Sequence, residues 1–201
     1  MRTWFTRANG KTAHNQPGTP LYIPNEPPDY PKRAFNHTDE LVDGGFARVG
    51  WPDAGDLRAD GWKDRALQVY GSLIRPHHIR YLKQFVTIRV GDFIVIPARR
   101  KKYDAFVGEV IAPRRADSNR LSQPGASAYY YQYDIAAGDR YENAHRVDVE
   151  WQRMATGSPA VLHLPELGGL WLRAFGPVIH GHGRLLELAA QAGLLPKPAM
   201  L

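Results

Sequence analysis

The sequence predicts an α+β fold: a small, strongly curved β-barrel with short helices at its periphery. Three observations predict it. Short apolar or alternating segments recur between turn residues, the 201 residues include 19 Gly and 16 Pro, and aromatic residues make up 11% of the chain. This composition favours many short strands and tight turns over a helical bundle. A strongly bent sheet is a common way to wrap short strands around one core.

The N-terminal half of the chain supplies two predicted strands and two predicted helices. Residues 3–7 predict a short strand, and residues 46–51 predict a second one. Asp60 is placed to cap a helix that runs from position 61 or 62 toward Tyr70, because aspartate is a preferred N-cap residue. A second helix is predicted over residues 76–85.

The centre of the chain carries the clearest strand patterns. Val86, Ile88 and Val90 alternate with other residues, which predicts a strand followed by a turn. Residues 93–97 form an apolar run that is typical of a buried strand. Residues 105–111 predict its partner in a hairpin.

Two further strands are predicted over residues 129–135 and 146–152. In the second of them, Val147, Val149 and Trp151 fall on one face, and polar residues fall on the other. We therefore expect a half-buried strand whose solvated face consists of Arg146, Asp148, Glu150 and Gln152. A short amphipathic helix is predicted over residues 183–192.

The chain is predicted to form a single domain over residues 1–201, with its core in residues 1–152. Residues 12–36 contain six prolines, which remove backbone donors and disfavour helix. This segment is therefore expected to be an extended arm that wraps the domain. Residues 153–201 are expected to pack on the core as a C-terminal extension.

Charge is the first functional clue. Lys and Arg number 26 against 20 Asp and Glu, a net charge of +6 with a pI near 9.6, which suits a polyanionic partner such as nucleic acid. The absence of cysteine excludes disulfides, thiolate metal sites and cysteine nucleophiles, and favours a cytoplasmic location. No stretch approaches the ~20 apolar residues of a membrane span, so no membrane partner is expected.

Enzyme motifs are weak throughout the sequence. Asp148 and Glu150 are spaced like part of a metal-dependent nuclease core, but Gln152 stands where that core needs a lysine. Two histidine pairs lack both the helical spacing and the third ligand of a metal site: His77 with His78, and His180 with His182. No catalytic residue, metal or other cofactor is predicted.

Basic residues interleaved with aromatic residues rise above this background. Four cations stand at the tip of the predicted hairpin and two more follow in the next loop: Arg99, Arg100, Lys101, Lys102, Arg114 and Arg115. Such a stripe can neutralise phosphates, although a solvated turn has the same appearance. Tyr129, Tyr131 and Tyr133 share one face of a predicted strand, where the rings either stack on an extruded base or pack within the sheet.

Six short segments carry a family resemblance through their order and spacing. They are FARVGW at 46–51, GDL at 55–57, IRVGDFIVIP at 88–97, FVGEV at 106–110, YQY at 131–133 and HRVDVEW at 145–151. Together they resemble the non-catalytic domain that precedes the nuclease in Mrr-type restriction proteins, a domain similar to the EVE and PUA-like family. The resemblance covers residues 4–151, and no nuclease domain is recognisable after them.

This resemblance implies a small bent barrel whose relatives recognise nucleic acid and in several cases hold a flipped, modified base in an aromatic pocket. Carried over by position, and with the neighbouring carboxylates added, the base pocket is expected to be bordered by Trp51, Asp53, Asp56, Pro97, Tyr131 and Tyr133. The six cations of the hairpin tip and the following loop are expected to bind the nucleic-acid backbone.

We therefore expect a nucleic-acid-binding reader, with DNA preferred over RNA, that serves as a specificity or sensor element in defence against foreign DNA. Two alternatives stay open. One is a metal-dependent nuclease or nucleotide-modifying enzyme with its carboxylates around the same pocket: Asp53, Asp56, Asp148 and Glu150. The other is an interaction subunit whose proline-rich arm and C-terminal segment dock onto a catalytic partner protein.

Overall fold

The computed structural model describes residues 1–6, 9–11, 34–36, 38–98, 103–114, 125–131, 144–165, 175–177 and 187. Within these ranges the chain has an α+β fold, in which a strongly curved half-barrel sheet carries a few short helices. The expectation of a curved sheet with peripheral helices is confirmed at this level.

The described residues form ten strands and three α-helices. The strands are β1 (Thr3–Thr6), β2 (Asn9–Lys11), β3 (Ala34–Asn36), β4 (Phe46–Val49), β5 (Phe93–Pro97), β6 (Asp104–Val110), β7 (Tyr130–Tyr131), β8 (His145–Trp151), β9 (Leu162–His163) and β10 (Phe175–Pro177). The helices are α1 (Thr38–Gly44), α2 (Trp62–Tyr70) and α3 (Pro76–Phe85), with short 3₁₀ turns at Pro52–Ala54 and Gly71–Leu73.

The main sheet has the strand order β10-β1-β5-β6-β8-β4, with β7 added to β8 and β9 added to β6. Strands β1 and β5 are parallel, and the other pairs of this sheet are antiparallel. Strand β8 has two successive partners, because residues 149–151 pair with β6 whereas residues 145–146 pair with β7. The N-terminal half of β8 also pairs with β4. The expected hairpin of β5 and β6 is confirmed.

Close packing between strands is built into the sequence at Gly108 of β6. A Cβ at this position would lie 2.7 Å from the Trp151 ring and 2.9 Å from the carbonyl oxygen of Glu150. Only glycine therefore lets β6 approach β8 this closely. Strand β5, by contrast, is apolar and buried along its whole length, because both of its faces are covered.

Helix α3 fixes one side of the future site. It begins with Pro76, which is favourable there because the N–H groups of the first turn have no acceptor within the helix. The His78 ring accepts a hydrogen bond from the Arg75 amide at 3.1 Å. Ile79, Leu82 and Phe85 form its buried face, at the spacing of an amphipathic helix. The polar residues of α3 consequently face outward.

Two predicted elements are wrong. The alternation of Val86, Ile88 and Val90 does not form a strand: Val86 is still in the right-handed helical region, and Ile88 is buried because a turn after α3 points it into the core. The N-cap of α2 is Gly61 in a left-handed conformation, and Asp60 makes no cap.

The expected solvated face of β8 is also wrong. Arg146 and Asp148 are 5% and 4% exposed. The Arg146 guanidinium packs over the Phe46 ring, and Asp148 accepts a hydrogen bond from the Tyr130 hydroxyl at 2.8 Å. Neighbouring strands therefore cover both faces of β8, and only Glu150 of this strand is exposed.

The segments predicted at the two ends fall mostly outside the described residues. Of the proline-rich arm, only the backbone of β3 is described, paired with β2. Of the predicted C-terminal helix, Glu187 alone is described, in helical conformation. In the described part of the chain, no helix has the length and apolarity needed to cross a membrane.

Candidate functional site

The candidate site is built on residues 51–57, called here the Trp51 loop, which connects β4 to α2. Side chains from α2, β7, β8 and the segment that leads into β7 hold four of its main-chain groups. The carbonyls of Trp51 and Pro52 accept hydrogen bonds from a histidine and a tyrosine, and the amides of Asp53 and Leu57 donate to two further tyrosines. The four holding residues are His145 at 2.9 Å, Tyr131 at 3.2 Å, Tyr70 at 2.8 Å and Tyr129 at 3.1 Å.

The innermost contact is a chain of hydrogen bonds through His145. Its Nε2 faces the Trp51 carbonyl and must therefore donate, which leaves Nδ1 to accept from the Tyr129 hydroxyl at 2.9 Å. The same hydroxyl accepts the Leu57 amide. The chain thus ties the two ends of the Trp51 loop to each other through β8 and the segment that leads into β7.

Burial determines the protonation states of the two side chains in this series of hydrogen bonds, Tyr129 and His145. Tyr129 and His145 are both fully buried, and burial lowers the pKa of His145 to about 4, although the Trp51 carbonyl and Asp56 partly oppose the shift. Burial also raises the pKa of Tyr129 far above its ordinary value. Both groups are therefore neutral at physiological pH and act as hydrogen-bonding struts.

Trp51 is the side chain that this scaffold presents. Its backbone has φ 76°, a left-handed conformation that costs a non-glycine residue about 1–3 kcal/mol, and such strain persists only where the surroundings enforce it. The indole is half-buried between Tyr70, which meets it edge-on at 4.8 Å, and His78, whose ring centroid also lies at 4.8 Å. Burial, with the nearby charges of His77 and Arg75, lowers the pKa of His78 to about 4, so the Trp51 indole packs against a neutral imidazole.

Asp53 is the carboxylate best placed for a ligand. One of its oxygens accepts the Tyr70 hydroxyl at 3.0 Å, and its side chain is half-buried. Burial raises its pKa above the ordinary value, with the Tyr70 hydrogen bond opposing. Asp53 and the Trp51 indole both contact Tyr70, and partial desolvation makes the Asp53 carboxylate a strong acceptor for an N–H donor.

Asp56, the second predicted carboxylate, is already engaged. Arg58 grips it with a two-pronged contact at 3.1 and 2.9 Å, and the Arg58 amide adds a third hydrogen bond. Burial alone would raise the pKa of Asp56, but these hydrogen bonds outweigh burial and lower it. The Arg58 guanidinium in turn lies 5.3 Å from the Tyr129 ring. Asp56 therefore serves the architecture of the loop.

Three cations surround the Trp51 loop, and none of them was predicted for the site. Arg58 pairs with Asp56, and Arg65 lies against Gly55, where a Cβ would overlap its guanidinium. Gly55 itself has φ 70° and ψ −169°, a conformation open only to glycine. Arg75 precedes α3 and bonds His78 through its amide. All three arginines are exposed.

Of the six cations predicted to bind the nucleic-acid backbone, the structure describes only Arg114. Arg99, Arg100, Lys101, Lys102 and Arg115 lie outside the described residues. Arg114 lies against Gly45 and lines a groove of about 490 Å³ with Asp43, Glu109 and Glu150.

Among the predicted pocket residues, the structure brings together Trp51, Asp53, Asp56 and Tyr131. Tyr133 lies outside the described residues. Pro97 does not join them: it pairs with Ala105 at the start of β6, whereas His145 lies past the other end of that strand, beyond the pairing of Val110 with Val149. The antiparallel register thus puts Pro97 at the opposite end of the sheet.

The aromatic cluster divides into buried and accessible rings. Tyr129 is part of the core, and the Tyr131 ring is half-buried 5.2 Å from His145. Trp51 and His78 complete the accessible part.

A second groove, of about 500 Å³ and lined by Arg2, Arg89, Asp92 and nearby main chain, lies at the end of β5 away from Pro97.

The four carboxylates considered for catalysis do not form one cluster. Asp148 faces Tyr130 and the Arg114 amide, on the side of β8 away from His145, and Glu150 opposes Glu109 across the sheet. In the residues that the structure describes, no group of three or more His, Asp or Glu side chains is placed to hold a metal ion. His180 and His182 lie outside the described residues.

Comparisons with protein-family models, with curated proteins and with solved structures found no match to this chain. The geometry of the Trp51 loop is therefore the basis for the functional proposal.

Proposed function

We propose that this chain is a nucleic-acid reader of the EVE and PUA-like class, which receives an unstacked base of DNA, flipped out or modified, against Trp51. The observation that carries the proposal is a strained, half-exposed tryptophan on a loop whose main chain is held at four points by buried or half-buried side chains. A binding site gains affinity when its groups are already held in place before the ligand arrives. Core packing alone does not require a loop to be held in this way.

The chemistry of recognition follows from the groups around the indole. A flat heterocycle stacks on the Trp51 ring, because every base has a π-face and tryptophan offers a large one. The Asp53 carboxylate accepts an N–H of the base edge, and it has an oxygen to spare beyond the one that Tyr70 occupies. Tyr131 lines the same side through its ring, since its hydroxyl already donates to Pro52.

The cations that surround the Trp51 loop contact the phosphates of the nucleic-acid backbone. Arg65 and Arg75 are exposed beside it, and Arg58 has a further exposed edge beyond its contacts with Asp56. These charges fit a ligand whose phosphates flank the recognised base. As in the restriction proteins that the sequence resembles, such a reader would supply specificity to a catalytic partner, in defence against foreign DNA.

Fluorescence anisotropy with labelled oligonucleotides tests the proposal. Plain strands and strands that carry 5-methylcytosine, 5-hydroxymethylcytosine or N6-methyladenine are compared, each single-stranded and in duplex, between about 50 and 200 mM salt. We expect binding that weakens as salt rises and a preference for one base that Trp51→Ala removes and Trp51→Phe largely keeps. Arg153→Ala, in an exposed turn after β8, is the charge control. Binding that is absent at low salt, or equal preference in Trp51→Ala, would overturn the proposal.

A further inference from the structure

A row of aromatic rings leads away from Trp51 across the outer face of α3. The His78 ring lies 4.8 Å from the indole, His77 lies 4.0 Å from His78, and the Tyr81 ring lies 5.6 Å from His77. His77 and Tyr81 are four residues apart, so they stand on the same side of the helix. All of these rings are partly exposed.

Cations border this row. The Arg80 guanidinium lies 5.8 Å from the Tyr81 ring, and Arg80 and Lys83 are three residues apart and exposed. Ile79 and Leu82 are buried on the opposite face of α3. Their packing fixes the orientation of the helix and so keeps this row of rings at the surface. We call His77, His78, Arg80, Tyr81 and Lys83 the α3 platform.

The charge of the surrounding sequence is one-sided. Residues 65–91 comprise 27 residues without a single Asp or Glu, between Asp64 and Asp92. The same stretch contains five cations: Arg65, Arg75, Arg80, Lys83 and Arg89. Five positive charges with no negative one give +5, against +6 for the whole chain. The segment that contains the platform therefore contributes positive charges and no negative ones.

We propose that the α3 platform binds a single-stranded nucleic acid as a continuation of the Trp51 site, with bases next to the recognised one stacked on His77 and Tyr81. Arg80 and Lys83 neutralise the phosphates between them. A single strand is required because bases in a duplex have both faces covered by their neighbours, whereas interleaved rings and cations are the means by which proteins hold unpaired strands. This inference rests on the proposed function and adds to it the state of the strand around the base.

The test compares three labelled probes of one mixed sequence, each about 12 nucleotides long: single-stranded DNA, the same strand as RNA, and the DNA duplex. We expect both single strands to bind more tightly than the duplex. Tyr81→Leu, which keeps an apolar side chain and removes the ring, should weaken single-strand binding by about five- to a hundred-fold, the range found for loss of one stacked base. Tyr81→Phe is the matched control and should stay within about two-fold of the unaltered protein.

The cations are tested through salt dependence. Arg80→Ala combined with Lys83→Ala should lower the slope of log affinity against log salt by about 1.4, since each phosphate contact to a single strand contributes about 0.7. Arg153→Ala removes one positive charge near the far end of β8 and should leave the slope unchanged. An unchanged slope in the double variant would overturn the assignment of phosphates to α3.

Photocrosslinking of the unaltered protein keeps the inference testable if a Tyr81 variant fails to fold. A strand with 5-iodouracil at successive positions should crosslink to His77 or Tyr81 at positions next to the one that reaches Trp51. Crosslinks confined to residues outside α3 would overturn the platform.

The outcomes separate the two proposals. If Trp51→Ala abolishes base preference while Tyr81→Leu and His77→Ala leave single-strand affinity within about two-fold, the reader stands and the platform falls. If the α3 variants weaken binding while Trp51→Ala changes neither affinity nor preference, the platform stands as a strand-binding surface and the reader falls. Duplex binding tighter than single-strand binding overturns the platform alone.

Discussion

His145 Nε2 donates to the carbonyl oxygen of Trp51 at 2.9 Å, and this bond joins a fully buried imidazole on β8 to the one strained aromatic residue of the Trp51 loop. The two residues are 94 positions apart in the sequence. The Nδ1 of the same ring accepts a hydrogen bond from the Tyr129 hydroxyl. The backbone of Trp51 is therefore held in place by a series of hydrogen bonds between neutral buried groups.

The hydrogen-bonded chain predicts non-additive stability losses. Tyr129→Phe leaves the Leu57 amide and His145 Nδ1 without a partner, which should lower the free energy of unfolding by about 1–3 kcal/mol. His145→Ala should cost at least as much, because it also leaves a cavity. In the double variant the two losses should fail to add by about 0.5–3 kcal/mol. Urea denaturation measures all three; additivity within about 0.5 kcal/mol would contradict a coupled chain.

Acidification should destabilise the protein between pH 6.5 and about 4. In this window the unfolded chain protonates His145 whereas the folded protein, with its pKa of about 4, does not, so the free energy of unfolding falls as pH falls. The full loss from His145 is about 3 kcal/mol. His78 acts in the same direction, and Asp53, whose pKa is raised, opposes it at the acidic end.

Urea denaturation at pH 7, 6 and 5 measures this dependence. His145→Gln, which has no titratable ring, should show a shallower decline, with the remainder due to His78 and the carboxylates. A stability that does not change over this range in the unaltered protein would contradict the buried neutral imidazole.

Local patterns in the sequence predict most of the strands and helices. Strands β5 and β6 and helices α2 and α3 could be located because apolar spacing and flanking Pro or Gly act over a few residues. The burial of Arg146 and Asp148 could not, since Phe46 and Tyr130 cover them from other strands. A charged strand face is solvated only if nothing in the tertiary structure lies over it.

The candidate site was predicted in part for the same reason. Trp51 and Tyr131 were named because the family resemblance carries them over by position, and Asp53 was named because it is a carboxylate close to Trp51 in the sequence. The groups that hold them did not stand out, because His145 and Tyr129 lie 94 and 72 positions from their partners in the loop. A histidine at the start of an apolar strand is the one local signal that could have indicated a buried polar role.

Backbone and side chain can be separated at Trp51. Trp51→Gly removes the ring and also the left-handed strain at φ 76°, whereas Trp51→Ala removes the ring and keeps the strain. We therefore expect the glycine variant to be more stable than the alanine variant by about 1 kcal/mol, with base preference lost in both. Thermal and urea denaturation give the order of stabilities. An alanine variant at least as stable as the glycine variant would mean that the loop relaxes out of this conformation when the ring is absent.

The two carboxylates of the Trp51 loop should differ in what their loss affects. Asp53→Asn keeps an oxygen for the Tyr70 hydroxyl but removes the charge offered to a base edge, so affinity for the preferred base should fall by about ten-fold or more while stability changes by less than about 1 kcal/mol. Asp56→Asn breaks the two-pronged contact with Arg58 and should affect stability, by up to about 1 kcal/mol because the pair is partly exposed, more than base preference. Anisotropy titrations and urea denaturation of both variants provide the comparison. Because each substitution removes one negative charge from the same loop, any general electrostatic effect on nucleic-acid binding is common to both, and equal losses of base preference would show that Asp53 does not contact the base.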